Sequence, residues 1–393
     1  GPLLLGASLL SAEAGIATVA YLLAYLFFID NEPWLRRVRA LLPYLLVVVV
    51  WRMVWTGLGY GVANVGLYID PIQAPFRFGR ALIDRLPMLF LSQWGWPPAD
   101  VSLVLGPDKR HLFWILACVF LLSVFFIGLP LLRRDRIARF WAFGALLSII
   151  PICTTFPSER LLLFVGIGAM GFISQFLVVV FRKNDGNAKW GYPAVGLGVF
   201  FIFVHLIIAT PTLLVHSAWP VGPKWVMGQF YIQTPFDQRI ETQDLILVNP
   251  PEAVFALNSL LLWESEHQPL PRHLRVLASS RLRPVTVSRL DDRTLIIRPE
   301  KGFIAGDMDR LFRAEDHLLS LGEQVKLTGV FITINELNAD HRPATAVFRF
   351  SVPLEDSSLR WLQWKDGKFI PFVPPRIGER VILHPGRLSL FPW

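Results

Sequence analysis

Phe156-Pro157-Ser158-Glu159-Arg160, followed at once by the apolar run Leu161–Val180, decides how this chain is read. About twenty apolar residues at ~1.5 Å each cover the ~30 Å of a bilayer's hydrocarbon core, so the run is expected to be a membrane helix. Hydroxyls and carboxylates suit a helix N-terminus, where free N–H groups and the positive end of the dipole await them. Ser158 and Glu159 therefore fit as caps. Arg160 has the wrong sign for that place and is the residue read as functional.

The rest of the chain agrees with a membrane setting. Of its 393 residues 53% are apolar, and the mean hydropathy is +0.47, beyond the range of ordinary soluble proteins. The net charge of +8 is uneven: residues 1–219 hold 17 Lys/Arg against 10 Asp/Glu, and residues 220–393 hold 21 against 20. The excess sits in the hydrophobic half, where charges set membrane orientation, and does not point to nucleic acid. Cys118 and Cys153 both lie in apolar runs and read as packing residues. The chain opens inside a hydrophobic run without a charged leader, so a longer protein, of which this is the C-terminal portion, is expected.

Working outward, the apolar runs predict an α-helical polytopic bundle with spans at about 2–28, 40–61, 111–132, 140–153, 161–181 and 192–214. Between the second and third, residues 76–96 place Arg77, Arg80, Asp84 and Arg85 at helical spacing among Phe, Leu and Ile. That pattern predicts an amphipathic helix on the membrane surface. The connections after spans one, three and five hold ten Lys/Arg and the opposite ones six. The positive-inside rule then puts residues 29–39, 133–139 and 182–191 in the cytoplasm. Ser158-Glu159-Arg160 and everything after an interface exit at Trp219-Pro220 fall outside, in the inner or plasma membrane of a bacterial-type cell.

Residues 220–393 read as a mostly-β extracytoplasmic domain, a small sandwich or barrel. Strand pairs are expected at 284–288 with 294–298, 324–335 with 344–352, and 359–364 with 369–373, with a helix at 251–264.

The buried charges carry the candidate chemistry. On an unbroken helix Glu13 lies ~16 Å from the outer end of span one, and Arg52 lies ~14 Å from the outer end of span two. A lone charge at that depth costs at least ~2.5–3.5 kcal/mol. Glu13 and Arg52 are expected either to pair with each other or to face a polar cavity. For Glu159 and Arg160 the plain reading is an interfacial cap and a snorkelling side chain; the functional one is a contact to an anionic lipid headgroup. His111, His205 and His216 stand alone, without Cys, Asp or Glu at ligand spacing, so no metal and no cofactor is expected. No phosphate loop, nucleophile elbow or triad spacing occurs, and no catalytic residue is assigned.

These residues also resemble a family. Ser8-Leu9-Leu10-Ser11-Ala12-Glu13-Ala14-Gly15 resembles the Ser-Lys-Glu segment of the GT-C membrane glycosyltransferases, in the protein O-mannosyltransferase and transmembrane-TPR branch. Arg52 matches a recurrent arginine there, and Asp70-Pro71 before the amphipathic stretch resembles its outer-face loop. Ser158-Glu159-Arg160-Leu161-Leu162-Leu163-Phe164-Val165-Gly166-Ile167-Gly168 is similar to its Glu-Arg-Tyr-Leu-Tyr-Leu-Pro-Ser-Ile-Gly segment. The resemblance covers about residues 1–182. Ala12 stands where that branch has Lys, Leu162 and Phe164 depart from its Tyr and Pro, and a β-rich domain replaces its TPR repeats.

The resemblance implies inverting transfer of sugar from a polyprenyl-phosphate donor at the outer face, with the catalytic acid upstream of Gly1. Glu13, Arg52, Glu159 and Arg160 would then help hold donor or acceptor, and the expected partners are membrane lipids and a lipid-linked sugar. Two other readings stay open. One is a non-catalytic anchor whose outer β-domain binds a glycan or a protein; the other is a transporter or flippase component with a Glu13–Arg52 pair lining its pathway.

Overall fold

Trp34–Gly57, Asp108–Arg134, Leu163–Phe181 and Tyr192–Leu214 are, among the described residues, the four helices long and apolar enough to cross a membrane. They come from a computed structural model that describes residues 1–61, 65–66, 68–103, 105, 107–182, 191–217, 232, 237–280, 283–305, 309, 312–314 and 317–384. The chain divides into two units, Gly1–Ala63 with Leu67–Leu214, and a second built mainly from Val215–Trp393. The expected domain boundary at 219/220 and the exit at Trp219-Pro220 lie outside the described residues, as do 183–190 of the third basic connection and the His216 side chain.

The first unit contains α1 (Pro2–Ser11), α2 (Thr18–Phe28), α3 (Trp34–Gly57), α4 (Pro75–Trp94), α5 (Pro107–Arg134), α6 (Arg136–Ile152), α7 (Leu163–Phe181), α8 (Tyr192–Ile202) and α9 (Ala209–Ser217). A π-turn, Phe203–Ile208, joins α8 to α9. No residue of α3 is buried, and α5 exposes Leu112, Leu116, Val119, Leu122 and Phe126. Apolar surface on that scale suits a hydrocarbon-like solvent and suggests membrane association.

The first expected span is not one helix. Ala12 adopts an extended conformation (φ −160°, ψ 139°) that ends α1, and Glu13–Ala17 forms a 3-10 turn. Gly15 folds back onto Ser8, where an added Cβ would stand 2.4 Å from the hydroxyl. Gly6 lies beside Val47, Glu13 meets Trp55, and Arg37 in the first turn of α3 donates to the Leu26 carbonyl of α2 (3.1 Å). Thus α1 ascends alongside α3, the chain reverses at Glu13, and α2 descends. The depth expected for Glu13 was counted along a continuous helix, and Ala12 interrupts that helix. Arg52 lies nearer the end of its helix than expected, because α3 ends at Gly57 and not at residue 61.

The connections 29–39 and 133–139 meet at one end. Arg136 reaches Asn31 (3.2 Å), and Arg139 lies over the Phe28 ring (5.6 Å). At the centre α6 and α7 pack closely: a Cβ on Gly168 would come within 2.6 Å of the Trp141 carbonyl oxygen, so only glycine admits this approach. Helix α4 appears where the sequence predicts it, but its apolar face lies on protein. Met88 and Leu89 are fully buried and the Trp94 ring packs against Phe172 (6.0 Å). That corrects the surface-lying expectation: the amphipathic stripe finds α5 and α7 before it finds lipid.

The second unit is richer in sheet, but it is not a pure β sandwich or barrel. It holds β1 (Asp244–Leu247), α10 (Ala253–Ser265), β2 (His273–Val276), β3 (Val285–Arg289), β4 (Thr294–Pro299), β5 (Gln324–Leu327), β6 (Val330–Leu337), β7 (Pro343–Phe350), β8 (Leu359–Lys365), β9 (Lys368–Pro371) and β10 (Arg380–Leu383). One sheet has the order β2-β1-β8-β9 and the other β10-β3-β4-β7-β6-β5. Strand β1 runs parallel to both neighbours, with α10 as the crossover to β2. Residues 245–248, β1 and the position after it, alternate between two cores. Ile246 and Val248 join Trp361 and the six-stranded sheet; Leu245 and Leu247 join Trp364, Ala256 and Trp263 on the helix side. The layers are helix, sheet, sheet. The run expected as one strand, 324–335, is two, because Gly329 turns the chain in the left-handed region (φ 78°).

Candidate functional site

The four residues singled out in the sequence sit toward the end of the first unit opposite its basic connections, in two groups. In the first, the Arg52 guanidinium forms an ion pair with Asp70 and lies 4.4 Å from the centre of the Trp55 ring. The Trp55 indole N–H donates to the Glu13 carboxylate (2.6 Å). The expected Glu13–Arg52 pair is therefore absent, and an indole separates its members. Helix geometry explains the link: residues three apart share a face, so Arg52 stacks on Trp55. Burial alone would raise the Asp70 pKa, but the hydrogen bond from Arg52, the Ile72 N–H and the charge of Arg52 outweigh it, and the carboxyl is held below its ordinary value.

The second group is the segment 153–162 between α6 and α7. Its backbone is pinned from three directions. The Ile69 N–H donates to the Thr154 carbonyl (2.8 Å). Arg85 of α4, itself only 9% exposed, donates through one nitrogen to the carbonyls of Cys153 (2.9 Å) and Thr155 (2.7 Å). Asp100 accepts from the Glu159 N–H (3.1 Å). Glu159–Leu161 then form a 3-10 turn, and α7 starts only at Leu163. Ser158 is buried but makes no cap bond, so the expected continuous, Ser-capped helix start is replaced by a separate rigid turn. From that turn Arg160 projects, exposed. Its recorded neighbour is the Phe156 ring at 5.8 Å, and among the described residues it makes no ion pair. Phe156 in turn touches Tyr68 (6.4 Å).

No family model matches the chain, and neither a curated protein nor a solved structure matches it.

The arrangement can attract anions. A guanidinium keeps its charge at any physiological pH and offers paired donors to a phosphate or carboxylate. Arg160 is free to do so; Arg52 is committed to Asp70. Sequence reading overlooked the part played by Arg85 and Asp100, which build the turn, and by Tyr21, whose hydroxyl accepts from Gly168 N–H (2.8 Å) and donates to the Phe164 carbonyl. An arginine at an apolar helix position was the available signal for Arg85. His205 bonds the Phe201 and Gln93 carbonyls (2.9 and 3.3 Å), a packing role as expected. No group of three His, Cys, Asp or Glu suited to a metal occurs among the described residues.

Proposed function

We propose that this chain belongs to an enzyme that transfers sugar from a polyprenyl-phosphate donor at the outer membrane face, with six membrane crossings and an extracytoplasmic second unit. The observation that carries the reading is the Arg160 turn: three anchors hold its backbone, while its guanidinium pairs with no carboxylate among the described residues. A positioned cation at the bundle end is what a developing phosphate leaving group requires. Glu159 shapes the turn in this reading, and Glu13 and Arg52 brace the adjacent α3 end.

In membranes from cells expressing the complete coding sequence, Arg160→Ala is expected to lower transfer from a radiolabelled polyprenyl-phosphate sugar by at least about a hundredfold. Insertion should be unchanged. Wild-type transfer by the variant would remove Arg160 from the site. A cysteine at the exposed Ser357 should react with an impermeant thiol reagent in intact cells, and one at Arg134 should not. The reverse pattern would invert the topology.

The anchor reading draws support from a different observation: Glu13 and Arg52 are both satisfied within the protein, and the second unit has cores of its own. The pathway reading needed a Glu13–Arg52 pair, which is not formed.

A further inference from the structure

Residues 29–39 and 133–139 together hold seven arginines against three carboxylates. The two segments are far apart in the chain, yet the fold joins them. Arg136, at the start of α6, donates through one terminal nitrogen to the side-chain oxygen of Asn31 (3.2 Å). Arg139, three residues on and therefore on the same helix face, lies over the Phe28 ring (5.6 Å). Both arginines are exposed, and neither meets a carboxylate among the described residues. Asn31 is a neutral amide, and a ring face offers only its quadrupole. The three carboxylates of these segments have work of their own. Asp30 accepts from the Glu32 N–H (2.9 Å), Glu32 pairs with Arg36 (3.2 Å), and Asp135 caps α6 through the Ile137 N–H (2.7 Å). Even with their charges counted in full, four of the seven arginines have no counter-charge.

An apolar surface adjoins the pair. Phe143, one turn after Arg139 on α6, touches Phe27 (5.8 Å) and Phe28 (5.5 Å), and Phe27 touches Trp34 (5.7 Å). Phe27 and Trp34 stay 50% and 54% exposed. Cations with open donors beside exposed aromatic rings complement an amphiphile whose polar end is an anion. A small aqueous ion would satisfy the arginines and leave the rings bare. A lipid without net charge would cover the rings and leave the surplus charge uncompensated.

We propose that Arg136 and Arg139 form a binding site for the headgroup phosphate of an anionic phospholipid, whose chains lie along Phe27 and Trp34. Each guanidinium presents paired N–H groups that match two oxygens of one phosphate, and the contacts to Asn31 and Phe28 hold both side chains in place beforehand. Clusters of arginine beside membrane helices attract anionic headgroups on general electrostatic grounds; the juxtaposed segments here add a fixed pair of forks and an apolar bed. The site rests on the membrane association of the first unit. It lies away from the Arg160 turn, so it stands or falls independently of sugar transfer.

The test is equilibrium binding of chain-labelled fluorescent phosphatidylglycerol, and of phosphatidylcholine with the same chains, to the purified full chain in neutral-detergent micelles. Wild type should prefer phosphatidylglycerol by about tenfold or more. Arg136→Gln with Arg139→Gln should bring the ratio to within about threefold of unity. Arg136→Lys with Arg139→Lys keeps the net charge but loses the forks, and should cut the preference by about threefold or more. The melting midpoint without added lipid checks that each variant is folded. The lysine pair retains charge and a donor for Asn31, so it carries the test even where the glutamine pair does not fold. A wild type that binds both lipids equally would overturn the site. So would undiminished preference in the lysine pair, because net charge alone would then account for the attraction.

Discussion

Replacing Trp364 with alanine is expected to destabilise the second unit by about 3–5 kcal/mol. The indole is 1% exposed and fills the space between the four-stranded sheet and α10. There it meets Phe369 edge-on at 5.1 Å beside Leu245, Leu247, Ala256 and Trp263. Asn249 holds its backbone on both sides, accepting from the Trp364 N–H (2.8 Å) and donating to its carbonyl (3.1 Å). The strand therefore cannot shift to close the cavity, and the loss should fall toward the upper end of the range. For a unit of this size that is a drop of roughly 6–20 °C in midpoint, measurable by calorimetry of the full chain. Leu261→Ala on the same helix, 66% exposed, should change the midpoint by less than about 0.5 kcal/mol equivalent. Equal effects from the two substitutions would refute this packing scheme.

Asp244→Ala should cost about 3 kcal/mol and alter the response to acid. The carboxylate is 7% exposed and receives Arg272 Nε (2.7 Å), His273 Nδ1 (2.8 Å) and Arg275 Nε (3.4 Å). Removing it leaves Arg275, which is 11% exposed, with the Thr328 carbonyl but no counter-charge; Arg272 and His273 retain access to water, which limits the loss. Burial by itself raises the Asp244 pKa, yet the hydrogen bonds from Arg272 and His273 prevail, and the folded value lies below the ordinary one. A depressed folded pKa contributes stability that is complete above the unfolded value of about 3.9 and disappears as pH falls through the folded value. Wild type and Asp244→Ala should therefore differ in melting midpoint at pH 7 and converge in strong acid. A gap that stays constant down to pH 2 would show that the cation cluster does not depend on this charge.

Both substitutions act where sequence reading was weakest. Hairpin β3–β4 was legible because its turn is short and its residues alternate buried and half-buried within a few positions. Strand β1 was missed because it is buried on both faces, so Leu245-Ile246-Leu247-Val248 shows no alternation. Its partner β8 lies more than a hundred residues downstream, as the Asn249–Trp364 separation of 115 shows. The same distinction governs the candidate site. Arg160 was visible as a wrong-sign charge at a span's mouth. The anchors of its turn were not, since Arg85 meets its carbonyls across 68 and 70 residues.

The sequence by itself determined that this chain has membrane-length apolar helices, a separate sheet-rich unit and a few charges that need explaining. Length, composition and short-range periodicity are local properties, and hydrocarbon or core burial acts on them segment by segment. Only the tertiary structure decided which charges meet. Glu13 and Arg52 look paired when residues are counted along unbroken helices, but one extended residue at Ala12 reverses the chain and gives each a different neighbour. Ion-pair partners depend on ångström-scale separations between distant segments, and no residue count along the chain contains those separations.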